Sequence, residues 1–253
     1  GYNLMYGDLK KLNILRRLGL RTLLGFGVHK YLRKYIYPRI SDFAEYQITS
    51  NVENLLVAIT NKAHSNQYKG EFEGLKIELQ NRIKNLKLNY PQTFAIEENT
   101  AFFLYSFIRI VKPLKLVETG VADGISTYFI LNAIKNNGYG KLYSIDISDD
   151  VGTLLSNNEK QNWELHILKS KGDFREYLSK ISPFDIFIHD SNHSYFWQYY
   201  EYSTALKFIS SNGFIMSDDV DYSYAFLDFC KRYSLKPYFI YDYRKIFGII
   251  RSK

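Results

Sequence analysis

The chain has 253 residues, 46% of them hydrophobic, and a formal charge of +7. Its length allows one large domain or one domain with a sizeable extension, and its apolar content is ample for a buried core. A single cysteine, Cys230, excludes an internal disulfide framework and a cysteine-based metal site, and fits a reducing, cytoplasmic setting; no run of about 18 uncharged apolar residues is present to span a membrane.

The positive charge is unevenly placed. Residues 1–40 hold nine Lys and Arg against Asp8 alone, a balance of +8, so the remaining 213 residues carry about −1. In "DLKKLNILRRLGLRTLLGFGVHKYLRKYIYPRI" the leucines recur at helical spacing among basic residues, which predicts one or two amphipathic helices ending near Pro38. Such helices pack on the main domain or on a second copy in a homo-oligomer, or attach residues 8–39 to an anionic membrane surface or polyanion. The charge belongs to this segment and says little about the main domain, and no nucleic acid is expected as a partner. Residues 41–90 also read as helical, with a loop in "KAHSNQYKGEFEG" near Gly70 and Gly74. Residues 1–91 are therefore expected to form a helical N-terminal extension, a lid, substrate or oligomer contact, ahead of a main domain over 92–253.

From about residue 92 short β-rich runs alternate with helical lengths: "KLVET", "KLYSID", "WELHILK", "FDIFIHD" and "GFIMSD". That alternation predicts a parallel sheet covered by helices on both faces. The stretch "AFLDFCKRY" reads as a helix that buries Cys230 as a structural thiol. The last runs, "KPYFIYDY" and "KIFGIIR", are joined too tightly for a crossover helix and predict an antiparallel hairpin with "YDYRK" at its turn.

The turn between the first of these strands and its helix is "LVETGVADGIST". In a doubly wound sheet, ligands bind where strands end and helices begin. A dinucleotide site would show G-x-G-x-x-G, whereas Gly120 and Gly124 have three residues between them and no central glycine, which argues against a nicotinamide enzyme. Close backbone approach at Gly120, the Ser126 hydroxyl for a carboxylate and Glu118 for an ammonium suit a ligand with a nucleoside and an amino-acid end but no phosphate. Asp146 ends the next strand, 26 residues after Gly120, where an acid can accept hydrogen bonds from both ribose hydroxyls; it can equally cap its own turn. Each of these residues answers one group of S-adenosylmethionine.

With the terminal hairpin added, residues 92–253 resemble the class I S-adenosylmethionine-dependent methyltransferases. "TAFFLYSFIRIVKPLKLVETGVADGIST" is similar to the lead-in and first motif of the small-molecule O-methyltransferases, the group of catechol O-methyltransferase and the antibiotic-tailoring sugar enzymes. The resemblance implies a Rossmann-like, doubly wound sheet of seven strands in the order 3-2-1-4-5-7-6, its last strand antiparallel. It also implies that Glu118, Gly120, Gly124 and Ser126 line the methionine end, that Asp146 holds the ribose, and that Asp173 in "KSKGDFREYL" approaches the adenine. An Asp ahead of a helical stretch is just as often a helix cap.

Two stretches supply acids opposite the methyl group. "FDIFIHDSNHSY" puts Asp190 after the fourth strand, and "GFIMSDDV" puts Asp218 and Asp219 after the fifth. Three acids without a nearby Lys or Arg repel one another, and a hard divalent cation, Mg²⁺, is the simplest relief. The metal-dependent O-methyltransferases use such a triad, and His193 stands where the catechol enzymes carry a lysine base. The resemblance thus implies methylation of a hydroxylated small molecule or sugar, with the metal lowering the acceptor pKa and His193 and Asp190 serving proton removal. The competing readings are a metal-independent methyltransferase, and a non-catalytic protein of this fold that its basic segment attaches to a membrane or polyanion. The difference at His193 favours sugar-tailoring relatives over a catechol-like substrate, and strand alternation turns His189 away from Asp190.

Overall fold

A computed structural model describes residues 38, 40–61, 68–91, 95–242 and 245–253. The expected basic helices before Pro38, with any membrane or oligomer contact they make, lie outside the described residues. So do residues 243–244 at the expected hairpin turn.

Among the described residues eight strands form one sheet: β1 (Gln47–Thr49), β2 (Lys115–Thr119), β3 (Lys141–Asp146), β4 (Trp163–Ile167), β5 (Phe184–His189), β6 (Ile209–Ser217), β7 (Pro237–Asp242) and β8 (Lys245–Arg251). Their order is β1-β7-β8-β6-β5-β2-β3-β4, with β8 antiparallel to both its neighbours and every other pair parallel. The seven strands over 92–253 follow the expected order. The eighth, β1, corrects both the strand count and the all-helical reading of 41–90: its three residues pair with the outer edge of β7, where unpaired backbone groups would otherwise be left open.

The helices are α1 (Val52–Thr60), α2 (Lys69–Asn85), α3 (Glu98–Val111), α4 (Ile125–Asn137), α5 (Lys171–Ile181), α6 (Tyr195–Ala205) and α7 (Ala225–Tyr233). Strand alternation splits the core into two layers. Leu116, Ile186 and Ile188 pack under α1 to α4, while Val117 and Phe187 pack under α5 to α7. The central strands are apolar on both sides because helices cover both sides.

Helix α2 is a second correction. Gly70 and Gly74, expected in a loop, lie inside it. Its apolar positions explain why: Phe72 and Leu79 are buried against the α3 and α4 layer, and Glu71 pairs with Arg109 of α3 at 3.0 Å. Tertiary packing overrides the poor helix propensity of glycine. Helix α1 starts on Asn51, whose side chain accepts the Asn54 N–H at 2.9 Å. Cys230 is buried in α7, and burial pushes its thiol up to about 12. Among the described residues no helix is long and apolar enough to cross a membrane.

Candidate active site

Chain direction reverses at β2, with β3 and β4 laid down on one side and β5, β6 and the hairpin on the other. The carboxyl end of β2 is therefore the topological switch point, where open α/β sheets form a ligand crevice. Gly120 sits there with φ +80°, and a Cβ on it would lie 2.1 Å from the Asp190 carbonyl oxygen. The loops after β2 and β5 touch through this glycine. Gly124 starts α4 with φ +93°, against Gly152 and Leu155 of the loop after β3.

Glu118 is buried beneath this turn. Its carboxylate accepts from Ser126 Oγ at 2.9 Å and from Thr127 Oγ1 and Ser144 Oγ at 2.8 Å each. Burial raises its pKa to about 7, with the hydroxyls of Ser144, Thr127 and Ser126 pulling the other way. Glu118 and Ser126 thus bind each other and fix the first turn of α4 to β2 and β3.

Asp146 ends β3 as expected. One carboxylate oxygen accepts the Val121 N–H at 2.8 Å and the other the Ser148 N–H at 3.0 Å, which aims the group across the crevice; each oxygen can accept a further hydroxyl. Asp173 lies in the first turn of α5, where Ser170 accepts its N–H at 3.2 Å and its carboxylate takes the Lys169 N–H at 2.8 Å and His166 Nε2 at 3.1 Å. Its evident work is at the α5 N-terminus.

Asp123, between the two glycines, was not singled out in the sequence. It is 5% exposed and accepts the backbone N–H groups of Asn89 and Tyr90 at 2.9 and 3.0 Å. A strap from the N-terminal half is thereby fastened across the glycine turn, and Arg82 of α2 adds a 2.7 Å bond to Glu159 on the same side.

Across the crevice Asp190, Asp218, Asp219 and His193 come together. His193 Nε2 lies 3.5 Å from Asp219 Oδ2 and 3.8 Å from Asp190 Oδ1. The premise for a metal fails, however. Lys245, the first residue of β8, places its Nζ 2.8 Å from Asp218 Oδ2 and 3.5 Å from Asp219 Oδ2, so the acids do have a cation among them. Among the described residues no group of three or more His, Cys, Asp or Glu side chains is arranged to hold a metal ion. The expected Mg²⁺ ligand triad does not fit this arrangement. Burial, then repulsion from Asp219, raises Asp218 to about 6 against the pull of Lys245, and burial with Asp218 raises Asp190 well above the usual carboxylate range.

Behind this cluster lies Glu201 of α6, also unmarked in the sequence. Its buried carboxylate accepts from Thr119 Oγ1, Ser191 Oγ and Trp197 Nε1 at 2.6–2.7 Å and lies 2.6 Å from His189 Nδ1. It ties the ends of β2 and β5 to α6. His189 is buried, turned toward Glu201, with its ring edge-on to His193 at 5.4 Å.

Residues 117–220, from β2 through the Asp218–Asp219 pair, match the Methyltransferase domain family. They are a methyltransferase domain. The fold of this methyltransferase is similar to that of TomG, the O-methyltransferase of Streptomyces achromogenes involved in tomaymycin synthesis and solved with SAM, at 14% identity and TM-score 0.53 over 79% of this chain and 97% of that one. It is similar to the Bacillus cereus O-methyltransferase solved with SAH, at 14% identity and TM-score 0.53 over 79% and 97%. The SAH-bound Podospora anserina methyltransferase PaMTH1 aligns at 13% identity and TM-score 0.52 over 86% and 98%. No curated protein matches the chain. At these identities the likeness is one of fold, the Rossmann-like fold of the class I methyltransferases.

Proposed function

We propose that this methyltransferase uses S-adenosylmethionine to methylate a hydroxyl group of a small molecule or sugar, with His193 as the base. The position of His193 carries the reading: its Nε2 lies between Asp190 and Asp219 at the crevice end of β5 and β6, across from the glycine turn.

The residues present fit the cofactor. Asp146 is aimed by two backbone N–H groups to receive the ribose hydroxyls, Gly120 allows close backbone approach, and the adenine falls toward the end of β4, where Asp173 holds His166 and the start of α5. Bound there, S-adenosylmethionine supplies an electrophilic methyl group on a positively charged sulfur. His193 Nε2 would take the proton of an acceptor hydroxyl bound beside it, leaving the oxygen as the nucleophile for the methyl group, with S-adenosylhomocysteine as the leaving group. Asp219, whose Oδ2 lies 3.5 Å from Nε2, stabilises the cationic form of the imidazole. The raised pKa of Asp190 keeps a second proton-holding group beside the first. No metal enters this scheme. The O-methyltransferases among the structural neighbours agree with oxygen as the acceptor atom.

Transfer of labelled methyl from S-adenosylmethionine to a panel of sugars, phenols and amines tests the assignment. Label is expected on hydroxylated acceptors, and His193→Ala is expected to slow that transfer by about 100-fold or more while leaving S-adenosylhomocysteine binding in place. Labelling confined to amines, or a His193→Ala rate equal to wild type, contradicts the reading.

A further inference from the structure

The acidic cluster is built around an ammonium. Lys245 and Asp218 are nearly enclosed, their side chains 8% and 4% exposed, and the 2.8 Å contact between them is a hydrogen bond. The lysine has little freedom to leave. Antiparallel pairing of β6 with β8 sets Ser217 opposite Gly248, the Val220 N–H donates to the Ile246 carbonyl at 3.0 Å beside Lys245, and the Asp218 N–H donates to the His189 carbonyl at 2.9 Å. Asp219, at φ +50°, turns its carboxylate back to within 3.5 Å of the same Nζ. Asp190 adds its field from the end of β5: burial alone would lower the Lys245 pKa, yet Asp218, Asp219 and Asp190 together raise it.

A divalent cation needs several carboxylate oxygens at about 2.0–2.6 Å from one point, with water or substrate completing the shell. Here the Lys245 ammonium stands between Asp218 and Asp219, 2.8 and 3.5 Å from their nearest oxygens; it compensates the charge of both and fixes Asp218 by a hydrogen bond, as a metal would by coordination.

We infer that Lys245 is an internal substitute for a divalent cation, a positioning residue that holds Asp218 and Asp219 on the acceptor side of the site and keeps metal out of it. The inference rests on the proposed function only for the naming of that side. An ammonium offers an acceptor oxygen no coordination bond, so removal of its proton falls to His193 rather than to a Lewis acid.

Mn²⁺ is the probe, its free fraction read by electron paramagnetic resonance against full-length protein, with S-adenosylhomocysteine titrated into the same samples. Wild type is expected to show no site for Mn²⁺ below millimolar concentration. Lys245→Ala, which empties the centre but leaves the carboxylates, is expected to bind Mn²⁺ at least about tenfold more tightly than wild type, and Asp219→Asn added to it is expected to abolish the gain. A purely structural lysine would produce no such gain. Should Lys245→Ala not fold, Lys245→Gln keeps part of the stem and a polar end while removing the charge. Tight Mn²⁺ binding by wild type that Asp219→Asn removes overturns the inference, as does a folded Lys245→Ala or Lys245→Gln that gains no site. Failure of S-adenosylhomocysteine to bind wild type would instead count against the methyltransferase reading and leave the Mn²⁺ result standing.

Discussion

Gly120→Ala is expected to abolish S-adenosylhomocysteine binding and to destabilise the fold by about 3 kcal/mol or more, read from urea denaturation. Two independent effects add. At φ +80° an alanine is strained, and its Cβ would stand 2.1 Å from the Asp190 carbonyl oxygen, a backbone atom that no side-chain rotation moves away. Relief requires the loops after β2 and β5 to separate, which spreads the crevice where cofactor and acceptor must meet. Glycine in this chain does not always mean this, and α2 provides the control. A Cβ on Gly70 or Gly74 meets nothing within 4 Å, so Gly74→Ala is expected to stabilise by about 0.5–1 kcal/mol through helix propensity.

The second large effect belongs to Glu118. Its carboxyl group in the folded protein titrates at about 7, above the ordinary 4.5, because burial outweighs the three hydroxyls that donate to it. Between those two values the folded state binds more protons than the unfolded chain, so stability must fall as pH rises. The contribution is fully present below about 4.5 and fully lost above about 7. Its size is roughly 3 kcal/mol at ~1.4 kcal/mol per pH unit. Asp218 and Asp190, also raised, slope the same way, so the comparison of interest is between proteins. Glu118→Gln is expected to lose this part of the pH dependence while carrying a pH-independent penalty of about 1–3 kcal/mol, because its amide cannot accept from all three hydroxyls. Unfolding free energies measured from pH 4.5 to 8 decide it. Parallel curves for the two proteins would mean that Glu118 ionises at its ordinary value and that the polar shell offsets burial.

Much of the fold was legible because its signals are local. The stretches "KLVET", "KLYSID" and "KIFGIIR" are β2, β3 and β8 to the residue, and "AFLDFCKRY" is α7, since alternation and turn residues bound each one. Strand β1 was not legible. Three residues carry no periodicity, and what makes them a strand is the open edge of β7, supplied by residues 237–242 far along the chain. The glycines of α2 misled for the same reason, because the partners that hold the helix, Arg109 and the α3 layer, are distant in sequence.

The site divides along the same line. Gly120 and Asp146 mark themselves, as strand ends at a switch point must. Glu118 and Ser126, expected to line the methionine end, satisfy each other beneath the glycine turn, a difference set by which way a buried strand residue faces. Lys245 is not legible in the sequence as a partner of Asp218 and Asp219. It lies 27 residues from Asp218 and meets it only through the β6–β8 register, so counting charges near the acids in sequence suggested a metal where the fold supplies an ammonium. Asp123 and Glu201 were invisible for want of their partners, the 88–91 strap and the ends of β2 and β5.

The most direct test of the whole account is calorimetric titration of S-adenosylhomocysteine into wild type and Asp146→Ala. Micromolar binding to wild type is expected, weakened in Asp146→Ala by about 1–3 kcal/mol, or roughly 5- to 150-fold, as two ribose hydroxyls lose their acceptor. Undetectable binding to wild type, or equal affinity in both proteins, would contradict a methyltransferase whose cofactor lies between the Gly120 turn and the end of β3.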